Sequence, residues 1–451
     1  MYTVTVVGLG YVGLTMAACL ADRGLKTTGI DIDSNKIESI NTGRSPIHEP
    51  QLQELVEKTL RARILKATTD LEDSLRDSDI TFVTVGTPSL LDGSISLEYV
   101  RSAVESLGRT LKKTENYHLV VVRSTVIPGT CQEVVKAILE KASGKVCGKD
   151  FGLCSNPEFL KEGSAVQDMM KPDRVVIGEN DKRSGNELED FYHQLYQSKM
   201  PRFIRTSLAN AEMIKYANNA FLATKVSFIN SLANLCERLP QGDVKTIAEG
   251  IGLDPRIGPL FLRAGLGWGG SCFLKDLKAI LAYAKTQNIE LPIIDATLRI
   301  NELQPIWAVR KAKEALGELK GKRVALLGLA FKPDTDDIRE AVSIRIIETL
   351  LHEGSFVHAY DPAAMEKVER LFGKRVSFAD SAQECIQDAD CCILVTEWNE
   401  FKKLTPDDFK RMHRPVLIDG RRLYSPNGYS KKLKYYAVGL GRESQDPSKH
   451  S

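Results

Sequence analysis

Short β-branched runs alternate along the chain with longer stretches that mix apolar and polar positions, and the two patterns predict different elements. Thr3-Val-Thr-Val-Val is a compact apolar run that reads as a strand, and Thr27 to Ile32, Ile80 to Val85 and Leu119 to Val122 have the same character. Between them lie segments long enough for helices, the first rich in Ala and Leu and running to Ala21 before Gly24 stops it. Strands alternating with helices in this way predict a doubly wound parallel α/β sheet. Leu208 to Arg238 differs: no Pro or Gly interrupts it and Ala, Asn and Leu dominate, so it predicts one long, largely buried helix bridging two domains. Past Gly321 the first pattern returns. Arg323-Val-Ala-Leu-Leu-Gly-Leu-Ala predicts a strand, Val342 to Glu353 a helix ended by Gly354, Ser355 to Tyr360 a strand closed by Asp361, and Cys391 to Thr396 another strand. The expected divisions are 1–205, 206–304 and 305–435, then a polar tail, 436–451, unstructured from Arg442.

Between the first strand and the first helix stands Gly8-Leu-Gly10-Tyr11-Val12-Gly13. Gly8 suits a tight turn, Gly10 lets the backbone approach a pyrophosphate, and Gly13 allows helix and strand to pack closely, with phosphate at the helix N-terminus. Asp31 ends the next strand, where a carboxylate binds a ribose 2′-hydroxyl and repels a 2′-phosphate, so the pattern predicts NAD rather than NADP. Gly328-Leu-Ala-Phe331 sits at the matching place in the second sheet but lacks the later glycines. The chain therefore predicts two Rossmann-like domains joined by a long central helix, and one dinucleotide site.

Composition narrows the class. A chain of 451 residues with 43% hydrophobic and 27% charged positions has material for two or three globular domains. Lys plus Arg is 61 against 59 for Asp plus Glu, a net charge of +2, which gives no electrostatic basis for a nucleic-acid or membrane-surface partner. Nine cysteines without a C-x-x-C pair, and seven histidines without H-E-x-x-H, argue against a disulfide scaffold or a metal site and for a reducing cytoplasm. The uncharged stretch Met1 to Ala21 has no basic residue before it and is broken by glycines, so it is not expected to be a secretion signal or an anchor.

Three further segments carry candidate chemistry. Ala264-Gly-Leu-Gly-Trp-Gly-Gly-Ser-Cys272-Phe-Leu-Lys275-Asp276 sets four glycines ahead of a cysteine and follows it with a cation and a carboxylate. Glycines permit close approach of backbone, and Lys275 favours thiolate over thiol. Asn156-Pro-Glu158-Phe-Leu-Lys-Glu162-Gly follows an apolar run, which places its carboxylates at a strand's end, where α/β ligands bind. Lys215 and Asn219 are four positions apart and share one helix face, able to present a cation and an amide to one developing negative charge. Spacing alone favours a surface lysine and an unrelated asparagine.

Together these residues carry a resemblance. The glycine turn, Val85-Gly-Thr87-Pro88, Ser124-Thr125-Val, Asn156 to Gly163, Gly269-Gly-Ser-Cys-Phe-Leu-Lys-Asp276, and Gly328-Leu-Ala-Phe-Lys332 through Arg339-Glu340 occur in the order of the UDP-glucose/GDP-mannose dehydrogenase family. The chain resembles its UDP-glucose-oxidising branch over residues 1 to 435. The resemblance implies Cys272 as a nucleophile that carries thiohemiacetal and thioester intermediates, Lys215 and Asn219 as oxyanion stabilisers, and Asp276, Thr125 and Glu158 around a catalytic water. The NAD contacts it implies are Gly8, Gly10, Tyr11, Val12 and Gly13, then Asp31, Lys36, Thr87, Thr125, Glu162, Lys275 and Arg339. For the sugar nucleotide it implies Glu158, Phe159, Leu160, Lys215, Asn219, Phe261, Gly269 and Phe331, with Lys332, Arg263 and Arg421 on UDP. Arg256 matches an arginine that reaches the neighbouring subunit's site, which implies a homodimer. Leu274 departs from the pattern, since many bacterial members have Pro there.

GDP-mannose dehydrogenases share the Cys-x-x-Lys-Asp arrangement, but Lys171-Pro-Asp-Arg-Val-Val-Ile-Gly178 resembles the UDP-glucose branch. In UDP-N-acetylmannosamine dehydrogenases a His usually precedes the cysteine, whereas Ser271 does here. A non-catalytic nucleotide-sugar sensor on the same fold is a third reading, opposed by the intact set Cys272, Lys215, Asn219 and Asp276.

Overall fold

The computed structural model describes residues 2–197 and 199–441. The chain forms two compact units, Met1–Asn218 with Lys278–Gln287, and Asn219–Leu277 with Asn288–Ser451.

The first unit is built on eight strands: β1 (Val4–Val7), β2 (Thr27–Ile30), β3 (Leu65–Thr68), β4 (Ile80–Val83), β5 (His118–Val122), β6 (Phe151–Ser155), β7 (Arg174–Glu179) and β8 (Arg202–Ser207). They lie in the order β3-β2-β1-β4-β5-β6-β7-β8. Every position of β1, β4, β5 and β6 is buried, as expected where helices cover both faces, and this is why these strands read as continuous rather than alternating apolar runs. Val4 pairs with Thr27 on one side and with Ile80 on the other, so the strand order reverses at β1. That reversal opens a crevice beyond the strands' C-terminal ends, the usual ligand position in such sheets.

The helix Tyr11–Asp22 follows β1 and is buried from Gly13 through Ala21, apolar all round because the sheet and neighbouring helices enclose it. Leu14, Met16 and Leu20 are fully buried there, each contributing roughly 2 kcal/mol relative to exposure. The expectation of a wholly parallel sheet needs one correction. β6 and β7 run antiparallel, Cys154 opposite Glu179 and Ser155 opposite Gly178. The chain leaves β6, makes the short helix Ala165–Met170 and returns directly alongside, and an antiparallel neighbour needs no crossover. The helix Lys182–Tyr196 then supplies the crossover to β8, which is parallel to β7.

The second unit repeats the arrangement with six strands: β9 (Arg323–Leu327), β10 (Phe356–Tyr360), β11 (Val376–Phe378), β12 (Cys391–Leu394), β13 (Val416–Asp419) and β14 (Lys434–Ala437). All pair in parallel, in the order β11-β10-β9-β12-β13-β14. One apolar core joins these strands to Ile229, Ala233 and Cys236 and to Trp307, Ala308 and Ala312 of the helix Ile306–Leu316. The polar tail begins later than expected. Ala437 pairs with Asp419, and Val438 and Leu440 are buried, so the fold continues through these residues because their apolar side chains complete the core. The unstructured segment expected from Arg442 to Ser451 lies outside the described residues.

The long helix is Leu208–Cys236, and the division between the units falls inside it, after Asn218. No helix of the described residues is long and apolar enough to cross a membrane.

Candidate active site

At the end of β1, Gly8 adopts φ +95°, and a Cβ there would stand 2.9 Å from the Val85 backbone. A Cβ on Gly13 would lie 1.8 Å from the Gly8 carbonyl oxygen, which fixes glycine at the helix-to-strand contact. Gly10 is different: nothing lies within 4 Å of a Cβ placed on it, so the missing side chain leaves open space beside the helix N-terminus. That terminus has no side-chain cap, which leaves it suited to an anionic ligand. Asp31 follows β2. Its Oδ2 accepts from the Leu9 N–H at 2.8 Å and from Lys36 Nζ at 2.7 Å, while Oδ1 accepts from the Asp33 N–H at 3.1 Å. Burial pushes this carboxyl up, but the Lys36 ammonium and the backbone donors outweigh it and hold Asp31 below the usual carboxylate range. Thr87 Oγ1 donates to the Thr125 carbonyl at 2.9 Å, which ties together the segments beyond β4 and β5. These residues fit the diphosphate and ribose of a dinucleotide.

Past β6 the segment Asn156–Gly163 is fixed from several sides. Arg123, at the end of β5, and the Tyr192 hydroxyl both donate to Asn156 Oδ1, and Asn156 Nδ2 donates to the Val176 carbonyl at 2.7 Å. Two residues on, Glu158 Oε1 and its carbonyl oxygen each accept from Lys215 Nζ at 2.7 Å, in a pair where both side chains are buried. Burial raises the Glu158 carboxyl, yet the Lys215 ammonium and the Leu160 N–H more than reverse this, so it stays below the ordinary carboxylate range. Two cations stand by the Phe159 ring, Arg174 Cζ 3.9 Å and Lys215 Nζ 5.6 Å from its centre. Leu160 and Glu162 are half-buried. Tyr11 donates to Glu49, whose carboxylate also accepts from the Gly163 and Ala165 N–H groups at 2.7 Å each.

In the second unit Cys272 immediately precedes the helix Phe273–Thr286, and the Asp276 N–H donates to its carbonyl at 2.9 Å. A sulfur at a helix's positive end sits where negative charge is stabilised. Asp276 is buried, with Oδ1 accepting from Lys275 Nζ and Oδ2 from Asn219 Nδ2, each at 2.6 Å. Cysteine environments separate one thiol from the rest. Cys272 is exposed and the other eight are buried. Burial pushes the Cys19, Cys147, Cys385 and Cys391 thiols up to about 12, which leaves them protonated and unreactive.

The glycines before Cys272 serve packing. A Cβ on Gly269 would meet the Glu340 carbonyl oxygen at 2.4 Å, and one on Gly270, at φ +86°, would meet the Phe331 ring at 2.8 Å. Arg421 reaches the same loop: Nη1 donates to the Gly267 carbonyl at 3.4 Å and Nε stands 3.3 Å from Glu397. The Arg339 guanidinium is clamped on the Asp337 carboxylate, with Nη2 to Oδ2 at 2.7 Å. Lys332 Nζ stands 5.5 Å from the centre of the Phe331 ring. Arg256, Phe261 and Arg263 are exposed, Arg256 forming an ion pair with Asp254.

Each unit thus gathers part of the expected set. The first holds Gly8 to Gly13, Asp31, Lys36, Thr87, Thr125 and the Glu158–Lys215 pair, and the second holds Cys272, Lys275, Asp276 and Asn219 beside the Gly269–Phe331 loop contact. Sequence reading missed Glu49, Arg123 and Tyr192. His48-Glu49-Pro50 carries no motif, and the partners of Glu49 stand 38 to 116 positions away, so only long-range contact reveals it.

Three family models match the chain in order: the NAD binding domain of the UDP-glucose/GDP-mannose dehydrogenase family over residues 2–196, its central domain over 209–303 and its UDP binding domain over 325–426. UDP-glucose 6-dehydrogenase AglM of Haloferax volcanii is 45% identical over 93% of this chain and 96% of its own length. UDP-glucose 6-dehydrogenase TuaD of Bacillus subtilis is 42% identical over 94% and 90%. The solved structure of a UDP-glucose dehydrogenase from Pyrobaculum islandicum superposes with a TM-score of 0.90 at 37% identity, covering 98% of each chain. With its own glycine turn, paired carboxylates and single exposed thiol in the matched segments, the chain belongs to the UDP-glucose/GDP-mannose dehydrogenase family.

Proposed function

We propose that this chain is an NAD-dependent UDP-glucose 6-dehydrogenase, oxidising C6 of the sugar from alcohol to carboxylate in two steps to give UDP-glucuronate. The observation that carries the reading is Cys272, an exposed thiol among eight buried ones, standing before a helix whose first turn bears Lys275 and Asp276. The 1–205 segment is the NAD domain, 206–304 the helical segment and 305–435 the UDP-sugar domain.

Two NAD molecules bound in succession would supply the hydride acceptors, one for each oxidation. Gly10 and the helix N-terminus would hold the diphosphate of each, Asp31 with Lys36 its ribose, and Thr87, Thr125, Glu162, Lys275 and Arg339 its remaining parts. Loss of the hydroxyl proton and one hydride turns the C6 alcohol into an aldehyde. The aldehyde carbon can lose a second hydride only after something adds to it. Cys272 Sγ adds, forming a C–S bond and placing negative charge on oxygen, and Lys215 and Asn219 stabilise that charge until a proton reaches it. The thiohemiacetal then loses its remaining C6 hydrogen as hydride and its hydroxyl proton, giving a thioester. Water completes the cycle: one carboxylate of the set Glu158 and Asp276 takes its proton, with Thr125 orienting it, its oxygen adds to the thioester carbon, and the C–S bond breaks to release the acid and restore the thiolate. Glu158 suits this role because it remains ionised beside Lys215. Phe159, Leu160, Phe261, Gly269 and Phe331 line the sugar nucleotide, and Lys332, Arg263 and Arg421 meet its diphosphate.

A panel of UDP- and GDP-sugars assayed for NAD reduction tests the reading. UDP-glucose is expected to give the largest kcat/KM, with two NADH formed per UDP-glucuronate. A larger value for GDP-mannose would replace the substrate, and no NADH from any sugar nucleotide would favour a sensor. Cys272→Ala is expected to lower steady acid formation by about a thousandfold or more while UDP-glucose binding is retained. Near-normal turnover by that variant would rule out the covalent route.

We further propose a homodimer in the cytosol. Phe221, Phe228 and Leu235 recur at seven-residue intervals along the long helix and are exposed, as are Leu253, Ile257 and Leu260 nearby in sequence. A second copy would cover such a stripe and bring Arg256 to its neighbour's sugar-nucleotide site. Nine cysteines that form no disulfide with one another suit a reducing compartment.

A further inference from the structure

Glu49 lies in the loop between the helices Ser34–Asn41 and Leu52–Arg61, yet its side chain is 6% exposed. Its carboxylate joins two stretches that are distant in sequence. Oε2 accepts from the Tyr11 hydroxyl and from the Gly163 N–H, and Oε1 accepts from the Ala165 N–H. The Gly163 N–H also lies 3.2 Å from the Tyr11 oxygen. Tyr11 opens the helix that comes after the glycine turn, and Gly163 and Ala165 close the segment that begins at Glu158.

The loop presenting Glu49 is held in shape. Gln53 Nε2 donates to the Gly43 carbonyl at 2.7 Å, the Ser45 N–H donates to Gln53 Oε1 at 2.8 Å, and Pro50 restricts Glu49 to extended backbone. On the far side, Gly163 has φ +82°, and the Lys161 N–H is fixed by Asp168 at 2.9 Å. Glu49, with the direct Gly163 N–H bond to the Tyr11 oxygen beside it, ties the segment to the glycine turn. All three donors to Glu49 are uncharged, and among the described residues no cation pairs with it. A buried carboxylate without a cation is costly to desolvate, and an apolar side chain would hold two loops together at less cost. What the carboxylate adds is a directional link.

We infer that Glu49 is a positioning residue that couples occupancy of the dinucleotide turn to the sugar-nucleotide segment. The inference rests on the proposed dehydrogenase function. A dinucleotide against Gly10 and Tyr11 restrains the tyrosine ring, its hydroxyl restrains the carboxylate, and the carboxylate restrains the backbone carrying Glu158 and Glu162. The sugar nucleotide then meets a segment already ordered and binds more tightly. Linkage makes the effect reciprocal.

The test measures UDP-glucose affinity of the full chain by calorimetry, without and with saturating NADH, which cannot accept hydride. Wild type is expected to bind about fivefold or more tightly with NADH present. In Glu49→Gln and in Tyr11→Phe that ratio falls toward one. A carboxylate that only holds the fold would instead lower thermal stability and leave the ratio unchanged. Tyr11→Phe removes one hydroxyl and keeps the measurement available should Glu49→Gln fold poorly. A wild-type ratio of one, or an unchanged ratio in Tyr11→Phe, overturns the coupling. Wild type that makes no NADH from UDP-glucose overturns the proposed function instead, and the ratio is then measured with whichever sugar nucleotide is turned over.

Discussion

In the first unit β1 runs into Gly8 at φ +95° and Asp31 follows β2; in the second, β9 runs into Gly328 at φ +97° and Asp361 follows β10. Both glycines press against the neighbouring strand's end, Gly8 on Val85 and Gly328 on Thr396. Beyond the turn the two units diverge. A helix begins at Tyr11 at once in the first unit, whereas in the second none begins until Val342. Asp31 keeps an edge toward its surroundings. Asp361 is fully buried, and its oxygens accept from the Leu329, Ala330, Ala363 and Ala364 N–H groups and from Trp398 Nε1. A carboxylate so engaged has nothing left for a ribose. The same topology therefore makes a binding site in one place and a structural knot in the other, and the difference lies in which donors the protein consumes itself.

The largest effect expected from this contrast is on stability. Asp361→Ala strands four buried donors and one partly buried one and is expected to cost about 3–5 kcal/mol in urea unfolding, while the KM for NAD of the protein that still folds stays unchanged. Asp31→Ala should shift the balance, raising the KM for NAD roughly ten- to a hundredfold with a smaller stability loss of about 1–2 kcal/mol. Equal Tm losses from the two substitutions would break the comparison.

The smallest expected effect is a pH response placed in the first unit. Burial pushes His118, which bonds Ser78 O and Thr81 Oγ1, from 6.5 down to about 4. Between those values the unfolded chain takes up a proton that the folded one refuses, so stability is full above pH 6.5 and falls as pH drops. The loss is about 1 kcal/mol by pH 6. His118→Asn is expected to flatten the stability profile between pH 7 and pH 5, and an unchanged slope would place the response elsewhere.

The strands and the long helix are legible in the sequence because each is a local pattern. Val4–Val7, Ile80–Val83 and Cys391–Leu394 are β-branched or apolar runs buried on both faces, and Leu208–Cys236 has nothing to interrupt it. The apolar runs overshoot the strand ends by a residue or two, since at Asp31 and Thr396 the side chains bind backbone groups beyond the ladder. The direction of β7 is not legible, because a short apolar run carries no record of which neighbour it pairs with. The chemistry of Cys272, Lys275 and Asp276 lies within five consecutive residues and can be read. The pairing of Lys215 with Glu158 spans 57 positions, as does that of Asn219 with Asp276, and no spacing rule reaches so far.

The separation of one exposed cysteine from eight buried ones also gives the folded chain a ruler for its own opening. An alkylating reagent should add a single equivalent to the native chain and nine to the unfolded one, and because each unit holds four buried cysteines, it is the position of the modified residues in the digested chain that names the segment that has come loose. Cys19, Cys131, Cys147 and Cys154 mark the first unit, and Cys236, Cys385, Cys391 and Cys392 the second. Mass spectrometry of peptides from partly alkylated chains then reports which of the two units yields first.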